Sequence, residues 1–156
     1  MIWKTILVPH DFSSSANHAA AIARDEAKVH GAKVMLLHVI DLPGQLKPET
    51  VVVPDPTGAP INIKDYAVAQ AEEHLKDLSA RLAKDGVTPQ TFIRIGKPED
   101  EIVRFALENA VDLIVMGTHG RGPLGHVVLG SVAERVVRKA PCPVLTVRAN
   151  EREFVQ

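Results

Sequence analysis

The chain has 156 residues and a mass of 16.9 kDa, the size of one domain and enough to bury roughly two thirds of the surface of its unfolded form. With 46% hydrophobic and 24% charged residues and a formal net charge of -1, it has neither the basic balance nor the basic stripe of a nonspecific nucleic-acid binder. Its one cysteine, Cys142, excludes an internal disulfide and a thiolate metal cluster, and no apolar stretch approaches the roughly 18 residues of a membrane span.

The chain opens with MIWKTILVPHD, an apolar run too short for a signal peptide's core, which predicts a cytoplasmic protein. Within it, Ile2 to Val8 is the first of five short, β-branched apolar runs. The others are Lys33 to Val39, Thr91 to Ile95, Leu113 to Met116 and Val144 to Val147. Continuous hydrophobicity without alternation marks strands covered on both faces, as in a parallel sheet.

Four helical stretches separate these runs. The first follows the N-cap types Asp11 and Ser13, aligns Ala16, Ala19, Ala20, Ala23 and Ala27, and ends at Gly31, so its small face fits close against a sheet. The segment Ile40 to Ile61 then carries five of the eleven prolines, a connection long enough to be either a functional loop over the ligand edge or a surface excursion. The second helix starts near Asn62 and places Ala67, Ala71, Leu75, Leu78 and Leu82 on one face up to Gly86. The third has Pro98 at its start, the acids Glu99, Asp100 and Glu101 in its first turn, and Ile102, Phe105, Ala106 and Asn109 on one side. The fourth begins at Gly130-Ser131, presents Val132, Val136 and Ala140, and stops at Pro141.

Strands alternating with helices predict right-handed crossovers and an α/β fold. The expected sheet is parallel, five-stranded and doubly wound, with ligands at the C-terminal strand edge where the winding reverses. Residues 1–150 form the expected domain and 151–156 a tail.

Before the fourth helix lies GTHGRGPLGHVVLGSV, residues 117–132, with five glycines. Gly120, Gly122 and Gly125 spell the dinucleotide fingerprint GxGxxG, but the pattern does not directly follow the strand, Pro123 interrupts any helix there, and Leu145 stands where a ribose-binding acid is needed. The phosphate-loop spacing from Gly120 to Gly125 ends on His126 instead of lysine, and GxSxG is absent. A wider pattern fits better: Gly117 and Gly120, nine residues, then Gly130-Ser131. It places two glycine turns around one anion, with main-chain amides and the Ser131 hydroxyl as donors at a helix N-terminus.

His10, His38 and His119 also fall near C-terminal strand ends, which with Asp11 raises a zinc-site alternative. No tight HxH or HxxxH pair supports it, and His119 reads better as a phosphate-loop donor. Cys142, between Pro141 and Pro143, reads as a spacer at the entry to the last strand.

GTHGRGPLGHVVLGSVAERVVRKAPCPVLTVR, together with KTILVPHDFSSSANHAA and VMLLHVID, resembles the universal stress proteins over the whole chain outside the proline-rich loop. The Gx2Gx9G(S/T) pattern is the one associated with that family's ATP-binding branch. The resemblance implies a Rossmann-like sheet with strand order 3-2-1-4-5 and a bound ATP. It assigns Pro9 and Asp11 to ribose and phosphates, with Asp11 near a magnesium ion, and the backbone of Val39 to adenine. Met116 and Gly117 would meet ribose and base, and His119, Gly120, Arg121, Gly130, Ser131 and Val132 the phosphates. At His10 the family varies, so no role is inherited there.

Regulatory binding is the expected activity, because no general base or water-positioning residue stands out; slow magnesium-dependent hydrolysis is the alternative. Related hydrolases and adenylyl-transfer enzymes carry SGGxDS or HxGH after the first strand, where this chain has PHDFSSS. The apolar last strand would be an exposed edge unless paired with its twin, and the resemblance likewise implies a homodimer through residues 143–148.

Overall fold

The computed structural model describes residues 1–54, 58–118 and 129–149. Among these residues seven strands and four helices follow in the order β1 (Thr5–Pro9), α1 (Ser14–His30), β2 (Lys33–Ile40), β3 (Val51–Val52), β4 (Ile61–Asn62), α2 (Ile63–Lys84), β5 (Gln90–Ile95), α3 (Pro98–Glu108), β6 (Leu113–Gly117), α4 (Ser131–Lys139) and β7 (Val144–Val147). Five strands form one parallel sheet in the order β5-β2-β1-β6-β7. Counted as the five apolar runs, this is the expected order 3-2-1-4-5.

Both faces of the sheet are covered, and two cores result. On one face the alanines of α1 and Leu75, Leu78 and Leu82 of α2 pack on Ile6, Val8, Val34, Leu36 and Val115. On the other, Ile102 and Phe105 of α3 and Ala133 and Val136 of α4 pack on Leu7, Met35, Leu37, Ile114 and Met116. Successive residues of β1 therefore enter opposite cores, which is why its run carries no polar alternation. The winding reverses between β1 and β6, so the C-terminal ends of these two strands flank the crevice where doubly wound sheets bind ligands.

The first strand is shorter than its apolar run. Ile2 is 69% exposed, and pairing begins at Thr5 because the Asp112 carboxylate accepts the N–H groups of Lys4 and Thr5 at 2.9 and 2.8 Å. Helix α1 is capped as its sequence predicts: the Ser13 hydroxyl accepts the Ala16 N–H, and Gly31 closes the helix in the left-handed region at φ 66°.

The proline-rich segment contains local order that its composition hides. Val51 and Val52 pair antiparallel with Asn62 and Ile61, and the Ile63 N–H donates to Thr50 C=O at 2.6 Å. Asn62 also caps α2 by accepting the Asp65 N–H at 2.8 Å. The ribbon thus anchors the start of α2. No helix among the described residues is long and apolar enough to cross a membrane.

Candidate functional site

At the end of β1 the chain must turn into α1 within a few residues, and three groups shape that turn. His10 extends the β1–β2 ladder by one bond, its N–H donating to Leu37 C=O at 2.8 Å. Asp11 Oδ1 accepts both the N–H and the hydroxyl of Ser13, an Asx-type turn that leads into the helix cap. Between them Phe12 sits at φ 64°, a left-handed conformation costly for a residue with a bulky side chain.

His10 is 3% exposed, yet both ring nitrogens are paired. Nδ1 accepts the Phe12 N–H at 3.0 Å, so the proton of the neutral ring lies on Nε2, which donates to Asn17 Oδ1 at 3.1 Å. Burial lowers the His10 pKa from 6.5 to about 4, against the opposing attraction of Asp11. The His10 C=O in turn accepts from His38 Nδ1 at 2.7 Å. The Phe12 ring is packed among imidazoles, with centroids 5.3 Å from His10, 4.6 Å from His38 and 4.8 Å from His74.

This arrangement removes the zinc alternative as it involved His10, whose two nitrogens are committed within the protein. Among the described residues no group of three His, Cys, Asp or Glu side chains is placed to hold a metal. Asp11 is exposed, and with Oδ1 occupied by Ser13 it offers Oδ2 to a cation. One carboxylate suits magnesium that keeps its remaining ligands from phosphates and water.

Across the crevice, β6 ends against the first turn of α1. A Cβ on Gly117 would lie 2.4 Å from Ser15 Oγ and 2.9 Å from the Ala16 nitrogen, so glycine here lets strand and helix touch. Met116 and Thr118 on either side are buried. The Thr118 N–H donates to Val147 C=O at 2.9 Å, and its C=O accepts the Gly130 N–H at 2.6 Å. That second bond sets the N-terminus of α4 directly at the tip of β6. Gly130 is the cap residue of α4 and supplies no side-chain bond. The first amides of α4, at exposed Ser131 and half-buried Val132, therefore stand at the positive end of the helix, and among the described residues no side chain caps them, although Glu134 lies in the same first turn. His119, Gly120 and Arg121, with the GxGxxG glycines, lie outside the described residues.

Val39 lies past the end of β1. Pairing between β1 and β2 stops at Pro9 and Leu37. Leu37 C=O is bonded toward β1, and Ile40 C=O toward β5 through the Gly96 N–H at 3.0 Å. By the two-residue alternation of a strand, the main-chain groups of Val39 face the β1 side, where no strand continues. An open groove of about 570 Å³ between α2 and β5, lined by Leu75, Ser79, Thr91 and Ile93 among others, lies along the outer edge of the sheet. None of the expected nucleotide residues lines it.

The family model described as the universal stress protein family matches residues 3–148. The chain belongs to the universal stress protein family. A universal stress protein of Thermus aquaticus, encoded beside a sulfhydrylase gene, is 36% identical over 94% of this chain and 100% of its own length. The universal stress protein UspA of Lactobacillus plantarum superposes with a TM-score of 0.79 at 29% identity, over 95% of this chain and 99% of that one. A universal stress protein of Archaeoglobus fulgidus, solved in complex with dAMP, superposes with a TM-score of 0.70 at 26% identity, over 95% of this chain and 100% of that one. In this chain Pro9, Asp11 and Val39 lie at or just beyond the C-terminal ends of β1 and β2, Met116 and Gly117 at the end of β6, and Gly130, Ser131 and Val132 at the start of α4. Sequence reasoning passed over Asn17, Ser15, Thr118 and the structural work of His10. No spacing pattern encodes their roles: Asn17 serves the His10 ring, Thr118 bonds through its main chain, and Ser15 lies under Gly117.

Proposed function

We propose that the chain is a cytoplasmic, ATP-binding regulatory protein that works as a homodimer. The observation that carries this reading is the Thr118–Gly130 bond of 2.6 Å, which brings the α4 N-terminus, capped by no side chain among the described residues, to the end of β6 at the winding-reversal crevice. Amides at such an end favour phosphate through the helix dipole and their unpaired N–H groups. Ser131 and Val132, with His119, Gly120 and Arg121, hold the phosphates in this reading, and Pro9, Met116 and Gly117 border the ribose. The main-chain groups of Val39 beyond β1 suit the polar edge of adenine. The dAMP complex of the Archaeoglobus relative supports an adenine nucleotide as the ligand class. Bound magnesium would neutralise phosphate charge, with Asp11 Oδ2 as the protein's ligand. His10, committed through both nitrogens, is no base for water, so binding rather than efficient turnover is the proposed activity.

The first test is nucleotide recovered from the purified protein by native mass spectrometry, followed by calorimetric titration with ATP. Asp11→Asn keeps an oxygen for both Ser13 bonds and removes only the charge. We expect it to weaken ATP binding about tenfold in magnesium, the scale of one lost charge-assisted contact, and far less in EDTA. No affinity of the wild-type protein for any adenine nucleotide would overturn the reading. Phosphate release that depends on magnesium and on ATP would add slow hydrolysis to it.

Dimerisation has a separate basis. Among the described residues β7 is paired on one side only, to β6, and Leu145 on β7 and Val137 on α4 remain 41% and 47% exposed. Pairing with a second β7 through residues 143–148 satisfies the open edge and covers this apolar surface. Leu145→Lys is expected to shift the protein from dimer to monomer in analytical ultracentrifugation at micromolar concentration. A wild-type protein that already sediments as a monomer refutes the arrangement.

A further inference from the structure

We infer that His10 is the positioning residue for Asp11: by clamping the Phe12 N–H to helix α1 through Asn17, it sets where the Asp11 carboxylate meets the cation of a bound nucleotide. The inference rests on the ATP–magnesium reading for its ligand, and on geometry for the rest. Asp11 is flanked on its C-terminal side by Phe12 at φ 64°, a conformation that a bulky residue keeps only when its surroundings enforce it. Two features do so. The Phe12 N–H is held by His10 Nδ1 at 3.0 Å, and the Phe12 ring is wedged among His10, His38 and His74.

His10 itself cannot drift. It is buried at 3% exposure, tied to α1 by Asn17 at 3.1 Å, to β2 by its own N–H, and held from below by His38. The rigid sheet edge and the first helix thus converge on one imidazole, and that imidazole grips the amide next to the cation-facing carboxylate. A group placed by packing on two elements holds a ligand atom more closely than a loop would alone. An ordinary buried histidine would satisfy its nitrogens anywhere in the core; this one spends an acceptor on the strained residue adjoining the site.

The test compares wild type, His10→Leu and His10→Asn. Leucine removes the acceptor, whereas the Oδ1 of asparagine can accept the N–H two residues on, as in an Asx turn. Hydrogen exchange read by NMR needs no ligand: the Phe12 amide should lose protection by at least about tenfold in His10→Leu and regain most of it in His10→Asn. Titration with ATP should show the magnesium-dependent gain in affinity falling about tenfold in His10→Leu, with affinity in EDTA nearly unchanged, and this loss should vanish in an Asp11→Asn background because the two residues act as one unit. Unchanged Phe12 protection in His10→Leu would overturn the inference, as would an equal loss in the Asp11→Asn background. Should His10→Leu not fold, His10→Gln, whose longer side chain misplaces the acceptor, takes its place with the same expectations. If the wild type binds no adenine nucleotide, the ATP reading fails while the exchange arm still decides whether His10 holds the loop.

Discussion

Gly117→Ala is expected to destabilise the protein by about 3 kcal/mol, the upper part of the usual range for overpacking a well-filled site. The new Cβ would sit 2.4 Å from Ser15 Oγ, 2.9 Å from the Ala16 nitrogen and 2.9 Å from the Ser15 carbonyl carbon. Two of these are main-chain atoms in the first turn of α1, and Ser15 is only 1% exposed, so neither can swing aside into solvent. Relief requires β6 and α1 to separate, which opens the core containing Ala19, Ala20 and Val115 at the same time. In a chain of this size the melting temperature should fall by roughly 6 to 12 °C, read by circular dichroism; a variant melting with the wild type would show that strand and helix are not in contact here. The consequence reaches the nucleotide experiments. A Gly117 variant that loses ATP has two explanations, whereas Ser131→Ala or Asp11→Asn leaves the packing of β6 on α1 intact.

The second large effect is on pH. His10 is held neutral because burial outweighs the attraction of Asp11, and its pKa falls from 6.5 to about 4. The unfolded chain takes up a proton near pH 6.5, while the folded chain resists until about pH 4. Between these limits the unfolded state binds more protons, so stability rises with pH across the window. The contribution is complete above pH 6.5 and is lost as pH falls through the folded value. At about 1.4 kcal/mol per pH unit over that gap, His10 accounts for about 3 kcal/mol of acid destabilisation. Urea unfolding of wild type and His10→Asn at several values between pH 4 and 7 isolates this share, since other titrating groups act on both proteins. The two curves should converge toward low pH and separate in favour of the wild type as pH rises. Parallel curves would mean that His10 is not a neutral, buried imidazole.

Some of this protein was readable from local pattern alone. Apolar runs such as Ile6 to Val8 and Leu113 to Met116, and the alanine face of α1, announce buried strands and close-packed helices because side-chain periodicity is a property of each segment by itself. The handedness of crossovers then leaves few sheets for five such strands, and the spacing of Gly117, Gly120 and Gly130-Ser131 marked the segment between β6 and α4. Composition likewise concealed the ribbon of Val51–Val52 with Ile61–Asn62, whose pairing spans a proline-rich stretch with no periodicity of its own.

What pattern could not reach depends on register between distant segments. That Val39 overhangs β1 follows from the pairing of Pro9 with Leu37, that Gly117 must be glycine follows from the approach of β6 to α1, and that the His10 carbonyl accepts from His38 follows from β1 lying beside β2. The sequence by itself determined the four helices, the five strands of the main sheet, their order and the glycines at the crevice, because those signals are local. Only the tertiary structure decided which side chains face one another there, because hydrogen bonds and steric contacts of this kind exist only after segments far apart in the chain have packed in one register.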